Sequence, residues 1–430
     1  MKKSFNFIKK HVFMFLFLAF LLLMFANYVF IIVSNGTEVL TSYKIGTNKR
    51  IEYIDKYYEL SAKTKNQGAS SLLKEFESKW RELTNLATTV SSFVVSDAFL
   101  NGNALFCRSI GMKYIPGTTF VKLDGGMLTY IVNDDNIIQK KQSIDKELRY
   151  LNAFSELLKQ QGIDITYFNA PNKKYALMSS CPVGLRPNEY FDLNEYVHNQ
   201  LDTSYGIPCV DIMMDENADT KDFFYTTDHH WKTEHGIYAA KKISTYLNEA
   251  YNYGIDTTIY DKENYHQVVC EGVLLGSIGT NSTKSFTDAE NMTIYYPIED
   301  SNYTFLIPSK SINMKGGFDI FINHTKLNDK SQWPFNAYAS YIYANSAYVS
   351  IKNTQIQDKH RVLVIKDSFA NVVVPYLAQS IGQIDVLDIR DDQSDYFSDS
   401  VLKLIRENQY DNILFIANEP FDMKLLFVKE

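Results

Sequence analysis

From Arg361 onward the chain repeats one pattern, and that pattern limits the folds open to it. An apolar run of strand length, "RVLVI" (361–365), leads into "KDSFANVVVPYLAQSIG" (366–382), which reads as a helix. A second strand, "IDVLDIR" (384–390), a helix-spaced segment, "SDSVLKLIREN" (398–408), and a third strand, "NILFIAN" (412–418), follow. Strand, helix, strand, helix, strand implies parallel strands joined by right-handed crossovers. In such open sheets ligands bind beyond the carboxyl ends of the strands, where Asp367 and Ser368 fall.

The alternation extends upstream to about Ser143. "SIDKELRYLNAFSELLKQQG" is helical and closes on Gly162, and "IDITYFNAP" follows as a strand. "TTFVKLDGGMLTYIV" carries two β-rich runs around Asp124-Gly125-Gly126, the pattern of a hairpin. Residues 271–358, rich in Asn, Ser and Tyr and poorly periodic, read as an insertion of short strands and loops. The expected architecture is one α/β domain, residues 88–430, with helices on both faces of a parallel sheet.

Ahead of it, Lys2, Lys3, Lys9 and Lys10 precede an apolar run from Val12 to Val33, long enough to cross a bilayer. The run exceeds a signal-peptide core, and "FANYVFIIVSNG" offers no good cleavage site. Residues 12–33 therefore read as a transmembrane signal anchor, with 1–11 in the cytoplasm and the rest outside. Residues 34–87 read as a stalk that includes an amphipathic helix with Leu72, Leu73, Phe76, Trp80, Leu83 and Leu86 at helical spacing.

A formal charge of −7 argues against nucleic acid as a partner. Tyr (30) and Phe (28) are abundant, which suits an aromatic core and also sugar-stacking clefts. Cys107, Cys181, Cys209 and Cys270 lie far apart and hold no zinc-ligand spacing. The densest ionisable patch is "YTTDHHWKTEH" (225–235). A metal site from His229, His230, Glu234 and His235 is disfavoured, because His230 and His235 at i, i+5 diverge on a helix. No metal and no organic cofactor is expected.

Ser368 follows a buried strand and opens a helix. There a hydroxyl is accessible and free backbone N–H groups can meet a developing oxyanion. The same position also suits a plain N-cap. Asp228 and His230, at i and i+2, project to one side of an extended or turning segment. Asp228 can then orient His230 through Nδ1, leaving Nε2 for a serine. His229 points elsewhere and reads as structural. Trp231 reads as core, with shielding of the pair or contact with a sugar as the other roles open to it.

The string Asp228-His229-His230-Trp231 matches the signature of the bacterial DHHW protein family. The chain resembles the alginate O-acetylation proteins of the SGNH hydrolase-like superfamily. They too carry an Asp-x-His-Trp motif first and an Asp-Ser-Phe segment much later, here Asp367-Ser368-Phe369. "DITYFNAPNKK", with Pro171 and Lys173, and "IDVLDIR", ending in Arg390, resemble other segments of that group. The resemblance implies an SGNH hydrolase-like, flavodoxin-like fold with a circularly permuted Asp, His, Ser order. It implies Ser368 as nucleophile, His230 as general base and acid, and Asp228 as the orienting carboxylate. It further implies acetyl transfer to a polysaccharide outside the membrane, with the acyl group supplied by a multi-pass membrane acyltransferase.

Lys366 stands where ordinary SGNH enzymes have Gly, which leaves the oxyanion hole open to other residues. Gly276 and Ser277 of "LLGSIG" are candidate second donors, or a plain turn. Arg390 is a candidate contact for an anionic substrate, or a salt-bridged surface residue. A carbohydrate esterase with the same triad, and a non-catalytic polysaccharide-binding or assembly protein, are the competing readings.

Overall fold

The computed structural model describes residues 101–430 apart from 116–117, 213–219, 283–284, 329–335, 358–359, 391–400 and 428–430. These residues fall within one compact unit, Asp97–Glu430. The expected anchor, stalk and amphipathic helix lie outside the described residues, among which no helix is long and apolar enough to cross a membrane.

The strands are β1 (Phe120–Lys122), β2 (Leu128–Tyr130), β3 (Asp164–Asn169), β4 (Cys209–Asp211), β5 (Tyr265–Leu274) and β6 (Glu290–Pro297). They continue with β7 (Tyr303–Ile307), β8 (Ile312–Gly316), β9 (Tyr348–Asn353), β10 (Arg361–Lys366), β11 (Gln383–Leu387) and β12 (Asn412–Ala417). Eight of them form one sheet in the order β4-β3-β12-β10-β11-β9-β7-β8. From β4 to β11 every pairing is parallel, as the C-terminal pattern requires. β9, β7 and β8 pair antiparallel on the far side. The sheet is therefore mixed rather than parallel throughout. Segment 303–353, expected within an insertion of short strands and loops, supplies three short strands that extend the main sheet, while β5 and β6 pair in a sheet of their own. Its Asn and Ser content gives no sign that those strands join the main sheet.

The longest described helix is α1 (Asp134–Lys159). It begins with Asn133 and Asn136 capping each other's backbone N–H, and the chain turns away at Gly162 with φ of 74°. α2 (Leu193–Asn199), α3 (Thr233–Tyr251) and α4 (Val401–Asn408) complete the layers that matter here. Side chains alternate across a strand, so β10 serves two cores. Val362 and Val364 pack with α3 residues Ala240, Ile243 and Leu247. Leu363 and Ile365 pack with Leu148, Leu151 and Leu158 of α1 and Ile405 of α4. The segment after β10 is not the single helix expected. It is a 3-10 turn, Ser368–Val372, followed by one α-turn, Val374–Leu377. Three consecutive valines and Pro375 disfavour anything longer.

α3 crosses the serine turn at Gly236, where an added Cβ would lie 2.6 Å from the carbonyl oxygen of Val372. Gly236→Ala should destabilise the protein by about 1–3 kcal/mol and lower the Tm in thermal unfolding. Gly184→Ala, with open space around it, should leave the Tm unchanged.

Candidate active site

β10 ends at Lys366, and Asp367 bends the chain into the serine turn. The Asp367 carboxylate accepts the N–H of Phe369 at 2.8 Å and of Asn418, just past β12, at 2.9 Å. This fixes the Ser368 turn to the carboxyl ends of two neighbouring strands. Burial raises the Asp367 pKa, and Arg390 opposes the shift.

The histidine loop enters from the other side. His230 Nε2 lies 2.7 Å from Ser368 Oγ, and its Nδ1 is hydrogen-bonded to Asp228 Oδ1. The chain thus brings together three side chains separated by up to 140 residues. The second Asp228 oxygen accepts the backbone N–H of Ser277 at 2.7 Å, and Oδ1 also accepts the N–H of His230. Burial alone would favour the neutral acid. His230 and then His229, with the hydrogen bonds from His230, outweigh it and hold the carboxyl well below the usual range.

Gly276 and Ser277 are placed differently from the oxyanion role. The Gly276 N–H donates to Thr227 Oγ1 at 3.1 Å, and that of Ser277 to Asp228. Both donors are spent on the histidine loop. A Cβ at Gly276 would fall 2.1 Å from Asp228 Oδ2, so glycine is what lets the carboxylate sit there. His229 was expected behind the site but lines the cleft, with its Nδ1 2.7 Å from the Ser277 hydroxyl. Trp231 is fully buried, and its Nε1–H donates to the carbonyl of Phe369. His235 stacks on Phe223, and Glu234 accepts from Tyr295, so neither joins a metal site with His230.

Three supporting residues escaped the sequence reading. Tyr338 stacks on His230 with centroids 3.9 Å apart, and its hydroxyl donates to the carbonyls of Ser368 and Phe369. One ring thereby fixes both base and serine. Glu290 on β6 accepts the N–H groups of Thr226 and Thr227. Lys173, quoted above only as part of a Pro-x-Lys turn, is fully buried. Its ammonium donates to the carbonyls of Tyr225 (2.6 Å), Thr226 (3.2 Å) and Asp228 (2.7 Å). No local motif signals Tyr338 or Glu290, because each acts across the fold.

Ser368 and His229 open on a cleft of about 610 Å³ lined also by Tyr175, Lys174, Arg390 and Asn418. Arg390 is committed to Asp388 by two bonds, Nε at 2.8 Å and NH2 at 2.7 Å, while its chain borders the cleft. Asp388 also pairs with the buried Lys366 at 3.2 Å. Lys366 thus points away from the serine turn's open side and into a charge cluster. Burial lowers its pKa, against the pull of Asp388.

Two outcomes follow from these contacts. Gly276→Ala should displace the Asp228 carboxylate and cut turnover of an activated ester at Ser368 by about 10²–10⁴-fold, measured against unchanged circular dichroism. Burial lowers the Lys173 pKa to about 7, opposed by Asp228 and Glu290, whereas an unfolded lysine titrates near ~10.4. Between those values the unfolded chain binds more protons at this position, so the wild type should gain stability relative to Lys173→Met as pH rises from 7 to 10. Denaturant melts across that range measure it.

Comparisons with known proteins follow this geometry. A family model described as DHHW protein matches residues 193–387, a span that contains Asp228, His230 and Ser368. A comparison with curated proteins returns no match. Among solved structures, PatB1 of Bacillus cereus carrying a sulfonyl adduct is similar at 20% identity and TM-score 0.52, over 68% of this chain and 94% of that one. A DHHW family protein of Eubacterium siraeum is similar at 20% identity and TM-score 0.51, over 71% and 93%. The O-acetyltransferase domain of Pseudomonas putida AlgJ is matched at 12% identity and TM-score 0.38, over 72% and 93%, too low a score to bear on the site. The first two likenesses are likenesses of fold. The resemblance read from Asp228 to Trp231 is thereby shown: residues 193–387 carry the DHHW protein family match, on a fold similar to those of PatB1 and the Eubacterium siraeum DHHW protein.

Proposed function

We propose that this chain is an extracytoplasmic serine O-acetyltransferase, anchored by residues 12–33, that moves an acetyl group to a polysaccharide through an acyl-enzyme. The observation that carries the reading is the 2.7 Å approach of His230 Nε2 to Ser368 Oγ, with Asp228 on the opposite ring nitrogen. His230 takes the proton from Ser368 as Oγ attacks the acyl carbonyl, and returns it to the departing group of the donor. The resulting acetyl-serine is attacked by a sugar hydroxyl whose proton passes to His230, and Ser368 is restored. The ionised Asp228 stabilises the imidazolium formed in each half. Among the turn's donors, Phe369 N–H is taken by Asp367, which leaves the Ser368 N–H for the oxyanion. The DHHW family match supports this reading, as does the fold shared with PatB1, which was solved with a sulfonyl adduct. The acyl donor is assigned to a multi-pass membrane acyltransferase, and the fold to the permuted SGNH type.

A sulfonyl fluoride and an activated acetyl ester test the site directly. Intact mass spectrometry should find each adduct on Ser368, none in Ser368→Ala, and formation slowed by about 10²–10⁴-fold in His230→Ala. Acetylated oligosaccharide as the product supports transfer, whereas free acetate at the same rate with and without acceptor makes the protein an esterase. Folded protein that forms no adduct with either reagent overturns the catalytic reading in favour of a binding or assembly role.

A further inference from the structure

A second cluster lies at the carboxyl end of β4, the edge strand of the sheet. Cys209 and Asp211 are alternate residues of β4 and so share a face. His198, in the last turn of α2, reaches Asp211 with Nδ1 2.6 Å from Oδ2. One ligand atom from each of the three lies within 4.8 Å of the others. A cavity of about 490 Å³ opens at His198 and Asp211, with the buried Cys209 behind them, and is lined also by Glu195. Glu195 and His198, at i and i+3, lie on one side of α2. The other Asp211 oxygen is held by Asn169 Nδ2 at 2.6 Å, and Asn169 is itself fixed by donating to the Asn194 carbonyl at 3.0 Å. A carboxylate oriented by a buried amide, beside an imidazole and a thiol, is the arrangement that surrounds protein-bound zinc.

We propose that Cys209, Asp211 and His198, with Glu195 or water in the fourth position, bind a divalent cation of the zinc class. The thiol plus imidazole plus carboxylate set is too soft for calcium or magnesium. Bonds of about 2.0–2.3 Å place tetrahedral donors roughly 3.3–3.8 Å apart. Binding therefore opens the His198–Asp211 pair by about an ångström and draws Cys209 in, the thiol losing its proton to solvent. His198 is one-third exposed at the end of a short helix, and its ring has room for that shift. The cation would clip α2 to β4. The proposal is independent of the serine chemistry.

The test uses the full-length chain, solubilised in detergent and stripped with EDTA, titrated with Co²⁺ and then Zn²⁺. One equivalent of Co²⁺ should give tetrahedral d–d bands with a thiolate-to-cobalt charge-transfer band, and Zn²⁺ should bleach both. Cys209→Ala should abolish the charge-transfer band. His198→Ala should weaken Zn²⁺ binding more than tenfold, and Asn169→Ala by about 10–100-fold. Zn²⁺ should also protect Cys209 of the wild type from alkylation, read by peptide mass spectrometry, which needs no variant to fold. Co²⁺ bound without a thiolate band, a band that persists in Cys209→Ala, or alkylation of Cys209 indifferent to Zn²⁺ would each overturn the proposal and leave His198 and Asp211 as an ordinary ion pair.

Discussion

The site depends on one buried lysine. Lys173, which opens a helical turn four residues past β3, enters the interior and gathers the carbonyls of Tyr225, Thr226 and Asp228. A polar head in that position is tolerable only because three acceptors surround it. From above, Glu290 takes the N–H groups of Thr226 and Thr227. The histidine loop has no regular secondary structure to hold it, so the Lys173 Nζ on its carbonyls and the Glu290 carboxylate on its amides do that work. Once the backbone is set, Asp228 receives Ser277 and His230, and His230 has one orientation left, flat against Tyr338.

How much of this was legible from the sequence follows the range of each interaction. The parallel half of the sheet was readable because each strand and crossover is a local pattern. The Asp228–His230 pair was readable because i, i+2 geometry is local, and Ser368 because strand-to-helix turns have a recognisable composition. The short strands of 303–353 were expected, but not the place of β7, β8 and β9 in the main sheet, since their runs are short and interrupted by polar residues and only pairing along the sheet edge defines it. Gly276 and Ser277 stood as candidate oxyanion donors or a plain turn, and nothing in "LLGSIG" shows which way its N–H groups point. Tyr338 and Glu290 carry no motif at all.

The second charge cluster explains how a lysine occupies the position before the Asp-Ser pair. Lys366 is the last residue of a strand buried on both faces, and its side chain reaches Asp388 and Asn345 rather than solvent. Asp388 in turn holds Arg390 at the rim of the cleft. Lys366 and Arg390 thus share the Asp388 carboxylate beneath the serine turn, with Asp367 close enough to act on both.

β10 lies between β11 and β12, and β12 alone joins it to β3 and β4. The earliest-made strands, β3 and β4, therefore have no hydrogen-bonded connection to the rest of the sheet until the final strand is in place. His230 lies on the early side of that divide and Ser368 on the late side. A chain truncated before Asn412 would contain every residue of the relay but would lack the strand that joins β3 to β10, leaving Trp231, Tyr338 and α3 to hold the histidine loop to the serine turn. The order of residues along the chain thus leaves the strand that unites the two halves of the sheet to be added last, after both His230 and Ser368 have been made.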